Sequence, residues 1–196
     1  MTGRVLIAGI GNIFLGDDGF GPEVARRLAA ERLPGWVRVA DYGISGMHLA
    51  YDLAEGYETA ILVDAAPRGG EPGTVTVLDV AAEHRQEPAA AGPLGVSRLF
   101  DAHGMQPDVV LGVLDMLGAG AEARILVVGC EPASVDYGME LSEPVARAVD
   151  EAVGVVLGLI AAAGRGRQDG ETSVAANPES PETSGEGVSH VPWHSR

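Results

Sequence analysis

The chain has 196 residues and a mass of 20.2 kDa, which suits one domain able to bury roughly 70% of the surface its unfolded chain exposes. Its 13 basic against 28 acidic side chains give a formal net charge of -15, a field that excludes nucleic acid and anionic membrane surfaces as partners. All the basic residues are arginine, so P-loop and Schiff-base lysine chemistry is excluded, and the lone Cys130 excludes an internal disulfide or a thiolate zinc site.

Taken in order, the elements alternate strand and helix. "RVLIAGI" (4–10) is a continuous apolar run of the kind that forms a strand buried on both faces. A glycine-rich loop follows, then "GPEVARRLAAERL" (21–33), a helix with Pro22 at its favoured first position. The spacing predicts a strand over 36–43, a helix over 45–56 and a third buried strand over 59–66 that ends in an acid. "GTVTVLDV" (73–80) alternates like a strand, and the short turn before it points to an antiparallel edge.

Residues 81–100 read as a long mobile connection, and helical periodicity returns over 103–118. A strand over 123–132 and a long amphipathic helix over 142–164, with Ser142 as its cap, complete the pattern. This order predicts an α/β fold: a three-layer sandwich whose mostly parallel twisted sheet carries helices on both faces. Residues 1–163 form the expected domain. Residues 164–196 are Gly-, Ser-, Pro- and Glu-rich, so a disordered tail is expected there, and its His190, Trp193 and His194 are discounted as site residues. The start "MTGRVLIAGIG" does not read as a signal peptide, and no apolar run reaches the ~20 residues of a membrane helix, so a cytoplasmic protein is expected.

Ligands of open α/β sheets bind beyond the carboxyl ends of the strands, which draws attention to the loops after 9, 41, 64 and 130. "GIGNIFLGDDGFG" (9–21) resembles a dinucleotide loop in Gly9 and Gly11, with Asp41 in the place of a ribose-binding acid. Phe14 replaces the third glycine, however, the helix is delayed, and Asp17 and Asp18 would repel a pyrophosphate. "GISGM" around Ser45 is not a nucleophile elbow, and Cys130 at a strand end reads as a small buried hydrophobe. An oxygen and nitrogen set remains: Asp18, Asp64 and His103, each of which could singly be a cap or turn residue. Together they suit a borderline divalent ion such as nickel or zinc with open coordination positions. Asp17 is either a support for Asp18 or its rival as ligand, and His48 and His84 are weaker candidates.

"VLIAGIGNIFLGDDGFGPEVARRL" closely resembles the N-terminal signature of the hydrogenase maturation endopeptidases. "DYGISGMHLAYDL", "AILVDAAPRGGEPGTV" and "VVGCEPASVDYGMELSEPVARAV" extend the resemblance in order from about residue 4 to 162. The resemblance implies an endopeptidase, often classed as aspartic-type, that removes a C-terminal extension from the nickel-loaded precursor of a nickel-iron hydrogenase large subunit. It places the family's metal-binding acids on Asp18 and Asp64, which would also be catalytic, and the histidine on His103, where "AHGMQPDVV" departs from the usual serine or threonine before the histidine. Gly11, Asn12, Asp17, Asp41, Gly43 and Gly46 fall in its substrate-binding and supporting loops. Nickel would arrive on the precursor, with zinc or cadmium able to replace it in vitro, no nucleotide would be needed, and the protein would act as a monomer. The alternatives are a nucleotide- or small-ligand-binding module without hydrolysis, and an inert chaperone of the large subunit.

Overall fold

A computed structural model describes residues 3–79 and 123–174, with the side chains of the last helix described to residue 165. Among these residues, five strands form one sheet: β1 (Val5–Ile10), β2 (Val37–Gly43), β3 (Thr59–Ala65), β4 (Val75–Asp79) and β5 (Arg124–Cys130). Their order is β2-β1-β3-β5-β4, with every pairing parallel except that of β4 with β5. The strand expected within 73–80 is β4, an antiparallel edge as expected. Its partner is not its predecessor: β3 is hydrogen-bonded to β1 on one side and β5 on the other, and β4 pairs with β5 at the edge of the sheet.

Helices cover both faces, as expected for the sandwich. On one face α1 (Phe20–Leu28) and α3 (Glu143–Val174) pack on Val5, Ile7, Ile61, Val63 and Val128. Helix α3 meets them through Val145, Val149, Ala152, Val156 and Ile160, a stripe at helical spacing. On the other face Leu49 and Leu53 of α2 (Gly46–Ala54) lie with Leu6, Ala8, Ile10 and Leu62. Strands whose alternate residues meet helices on opposite sides must be apolar throughout, which is why β1 reads as an unbroken hydrophobic run.

Two boundaries differ from the expected ones. Helix α1 stops at Leu28 because the chain turns at Ala29–Glu31 and reaches Pro34, which disfavours helix in the residue before it. Helix α3 continues past Gly164, where the tail was expected to start, as far as Val174. The predicted helix over 103–118, the histidines His84 and His103, and the tail residues 175–196 lie outside the described residues.

Candidate active site

At the end of β1 the chain turns on Gly11, whose φ of +131° favours glycine, and any Cβ there would stand 1.9 Å from the Asp18 carbonyl oxygen. The turn aims the Asn12 N–H at Asp18 Oδ2, 2.7 Å away, while Asn12 Oδ1 accepts the Phe14 N–H at 3.0 Å. A short 3-10 turn, Gly16–Gly19, then carries Asp17 and Asp18, both buried. At Gly21 a Cβ would lie 2.2 Å from the carbonyl oxygens of Ile10 and of Val63, so α1 is pressed against the ends of β1 and β3. That close approach sets the acid-bearing turn in contact with β3, whose penultimate residue is Asp64.

Asp64 is completely buried. Desolvation, and next the negative charge of Asp18, push its carboxyl well above the usual carboxylate range, against a lowering by the Ala65 N–H. Burial likewise raises Asp18 to about 6, with the Asn12 N–H pulling the other way. Two carboxylates this close and this dry cannot both ionise cheaply in the absence of a cation. Such a pair can share a proton, dividing the roles of acid and base, or face a divalent ion whose charge relieves their repulsion. Among the described residues no group of three or more His, Cys, Asp and Glu side chains is placed to hold a metal, and His103 lies outside them.

Asp17 has a different task. Its Oδ2 accepts the backbone N–H groups of Ala133 and Ser134 at 2.8 and 3.0 Å and the Ser142 hydroxyl at 2.9 Å, while Oδ1 accepts the Ser142 N–H at 2.6 Å. With both oxygens accepting hydrogen bonds from residues 133–142, it supports the loop. Its contacts also show that the expected cap, Ser142, turns its hydroxyl to Asp17.

Across the same edge, Asp41 Oδ1 accepts the Gly43 N–H at 2.9 Å, and the Gly43 carbonyl receives the Gly11 N–H at 3.0 Å. The Asp41–Gly43 turn and the acid loop are thereby joined, and the buried Gly46 opens α2 just beyond. His48 is exposed on α2.

Glu131 is one residue the sequence reasoning did not single out. It follows β5, is 9% exposed, and accepts the N–H groups of Arg68 and Gly69 at 2.7 and 3.1 Å, tying down the loop after Asp64. Its position directly after a strand was the available signal. Cys130 beside it is buried, and desolvation followed by the charges of Asp17, Glu131 and Glu151 push its thiol up to about 12, the opposite of an activated nucleophile.

The architecture and the loop sequences agree with known proteins. Residues 22–159 match the HycI hydrogenase maturation protease family. The chain belongs to the hydrogenase maturation proteases. It is similar to the crystal structure of a hydrogenase 2 maturation peptidase from a Thaumarchaeota archaeon, with 32% identity, a TM-score of 0.59, and coverage of 80% of this chain and 97% of that one. A [NiFe] hydrogenase maturation protease, HybD, from Thermococcus kodakarensis superposes with a TM-score of 0.64 at 27% identity, covering 80% of this chain and 99% of its own. The hydrogenase 2 maturation protease of Escherichia coli is 28% identical over 163 residues, 82% of this chain and 93% of that protein. The protein is thus a peptidase, and its buried Asp18 and Asp64 lie in the turn after β1 and at the carboxyl end of β3, the sheet edge where α/β proteins bind their ligands.

Proposed function

We propose that this maturation protease removes a C-terminal extension from the nickel-loaded precursor of a nickel-iron hydrogenase large subunit. The observation that carries the reading is the buried Asp18–Asp64 pair at the carboxyl end of the sheet, with Asp18 raised to about 6 by burial and Asp64 raised well above the usual carboxylate range by its burial and then by the charge of Asp18. Nickel belongs to the substrate in this reading. Asp18, Asp64 and His103 complete the coordination of an ion the precursor already holds, and a nickel-free precursor leaves the two carboxylates without the charge that brings them to it.

Docking on the ion sets the scissile peptide bond beside the pair. A water oxygen adds to the peptide carbonyl carbon, a carboxylate takes the water proton, and the same proton passes to the amide nitrogen as the carbon–nitrogen bond breaks. The products are the mature carboxyl terminus and a released peptide with a free amine. Gly11 and Asn12 hold Asp18 in place, Asp17 holds the loop behind it, and Asp41, Gly43 and Gly46 border the path of the substrate chain. A monomeric protein acting in the cytoplasm fits this role.

The test is to mix the protein with nickel-loaded and nickel-free precursor and to read product masses. A mass loss confined to the loaded precursor is expected. Processing at the wild-type rate by Asp18→Asn or Asp64→Asn would overturn the site, and equal cleavage of nickel-free precursor would overturn metal-gated recognition.

A further inference from the structure

Two loops meet beside the acid turn. The Gly138 N–H donates to the Phe14 carbonyl at 3.0 Å, the Gly16 N–H donates to the Gly138 carbonyl at 2.8 Å, and Leu15 and Gly138 pair as an isolated parallel bridge. The Asp17 N–H donates to the Ser134 carbonyl at 3.1 Å, and the Asp17 carboxylate binds the same segment from below. Residues 13–16 and 133–139 are therefore one hydrogen-bonded unit anchored on a buried acid.

This unit exposes apolar side chains. Phe14 is 58%, Tyr137 95% and Met139 70% exposed, and Ile13 and Val135 are exposed with them. Scattered exposed apolar residues need no explanation, but several held by a fixed backbone beside a buried acid pair make a contact surface. From Ile13 and Met139 a groove of about 540 Å³ opens past Gly19, next to Asp18 in sequence, with Pro22, Ala25 and Val39 along it and Asp41 lining it as well.

Charge selects the occupant. Asp136 and Glu140 are exposed within the unit, and among the described residues no arginine pairs with either. The two arginines of the groove, Arg26 and Arg27, are already paired with Glu23, and Arg27 with Asp150 as well. A second copy of a chain with net charge -15 is a poor occupant, since like charges would face each other across the contact. We propose that the 13–14 and 135–139 loops, with the groove behind them, dock an apolar and net-basic segment of the substrate polypeptide next to the bond that is cut. The inference rests on the proposed processing of a protein precursor and adds where and by what chemistry that precursor is held.

The decisive variant is Tyr137→Ser with Met139→Ser, two side chains whose exposure leaves the core untouched. In steady-state processing of nickel-loaded precursor it is expected to raise KM by about tenfold or more and to keep kcat within about twofold, since exposed aromatic anchors contribute mainly to association. Val77→Ser, an exposed apolar position on the β4 edge, is the control and should change neither constant. With an Asp64→Asn background stopping cleavage in both proteins, the double variant should bind the same precursor more weakly than Asp64→Asn alone by a similar factor. Raised salt should weaken the wild-type complex further.

An unchanged KM in the double variant, or an equal rise in Val77→Ser, overturns the docking surface. So does a wild-type dimer that the double substitution dissolves, which would make the loops a self-interface. Precursor binding that depends on Tyr137 and Met139 without any cleavage supports the docking surface and sinks the proposed processing reaction alone.

Discussion

Asp17 Oδ1 accepts the Ser142 backbone N–H at 2.6 Å although the two residues lie 125 positions apart. The contact places a carboxylate at the N-terminus of α3, where the aligned peptide dipoles favour negative charge. Three further donors from residues 133–142 converge on the same group, so one buried side chain closes the acid turn, the loop after β5 and the start of the last helix. Asp17→Ala leaves these donors without their acceptor, and a loss of about 3 kcal/mol is expected, against about 1 kcal/mol for Ser142→Ala. Urea unfolding of both variants and of the double variant measures the coupling between them. An Asp17→Ala protein as stable as wild type would contradict this account.

The metal-free protein should be less stable near neutral pH than its fold would otherwise allow. Asp18 moves from an ordinary 3.8 to about 6 on folding, so between those values the native state binds more protons than the unfolded chain. Its contribution is fully present below the lower value and is lost as pH rises through the upper one, a difference of about 3 kcal/mol. Asp64 shifts in the same direction, which extends the window upward. Asp18→Asn should therefore stabilise the metal-free protein at about pH 7.5 and change little at about pH 4. Thermal melts at the two pH values check the sign, and destabilisation by Asp18→Asn at the higher pH would refute it.

A methyl group on Gly11 cannot be accommodated where it stands, 1.9 Å from the Asp18 carbonyl oxygen. Gly11→Ala must displace the acid turn, and a shift of about 1 Å at a reacting group typically costs on the order of a hundredfold in rate. Processing assays should show that loss. Gly154→Ala, on the exposed face of α3 with open space around it, should keep full activity and gain about 0.5–1 kcal/mol of stability.

Cys130 should be dispensable for chemistry. Its thiol is buried and raised to about 12, so Cys130→Ala is expected to process precursor at close to the wild-type rate, and iodoacetamide should not inhibit the native enzyme. A Cys130→Ala protein that folds and has lost activity would return the thiol to the mechanism.

Much of the fold was legible in local pattern. The unbroken apolar runs at 4–10 and 59–66 are the strands β1 and β3, because a strand covered on both faces has no polar side. Asp18 and Asp64 were legible for a related reason, as acids placed just where α/β sheets present ligands. The pairing of β4 with β5 and the continuation of α3 to Val174 had no comparable sign. Glu131 and Asp17 show the same limit: each holds a loop through backbone N–H groups, which every residue type except proline carries, so nothing in the partner's sequence marks the contact.

The sequence by itself determined the alternation of strands and helices and the family signature, and it singled out the two candidate acids, since periodicity and side-chain chemistry are properties of short stretches. Only the tertiary structure decided that Asp17 and Asp18, neighbours in the chain, divide into an anchor and a titrating partner of Asp64. That division depends on which donors and charges surround each carboxylate and how far water is excluded from it, and those surroundings are assembled from β3, β5 and α3 together.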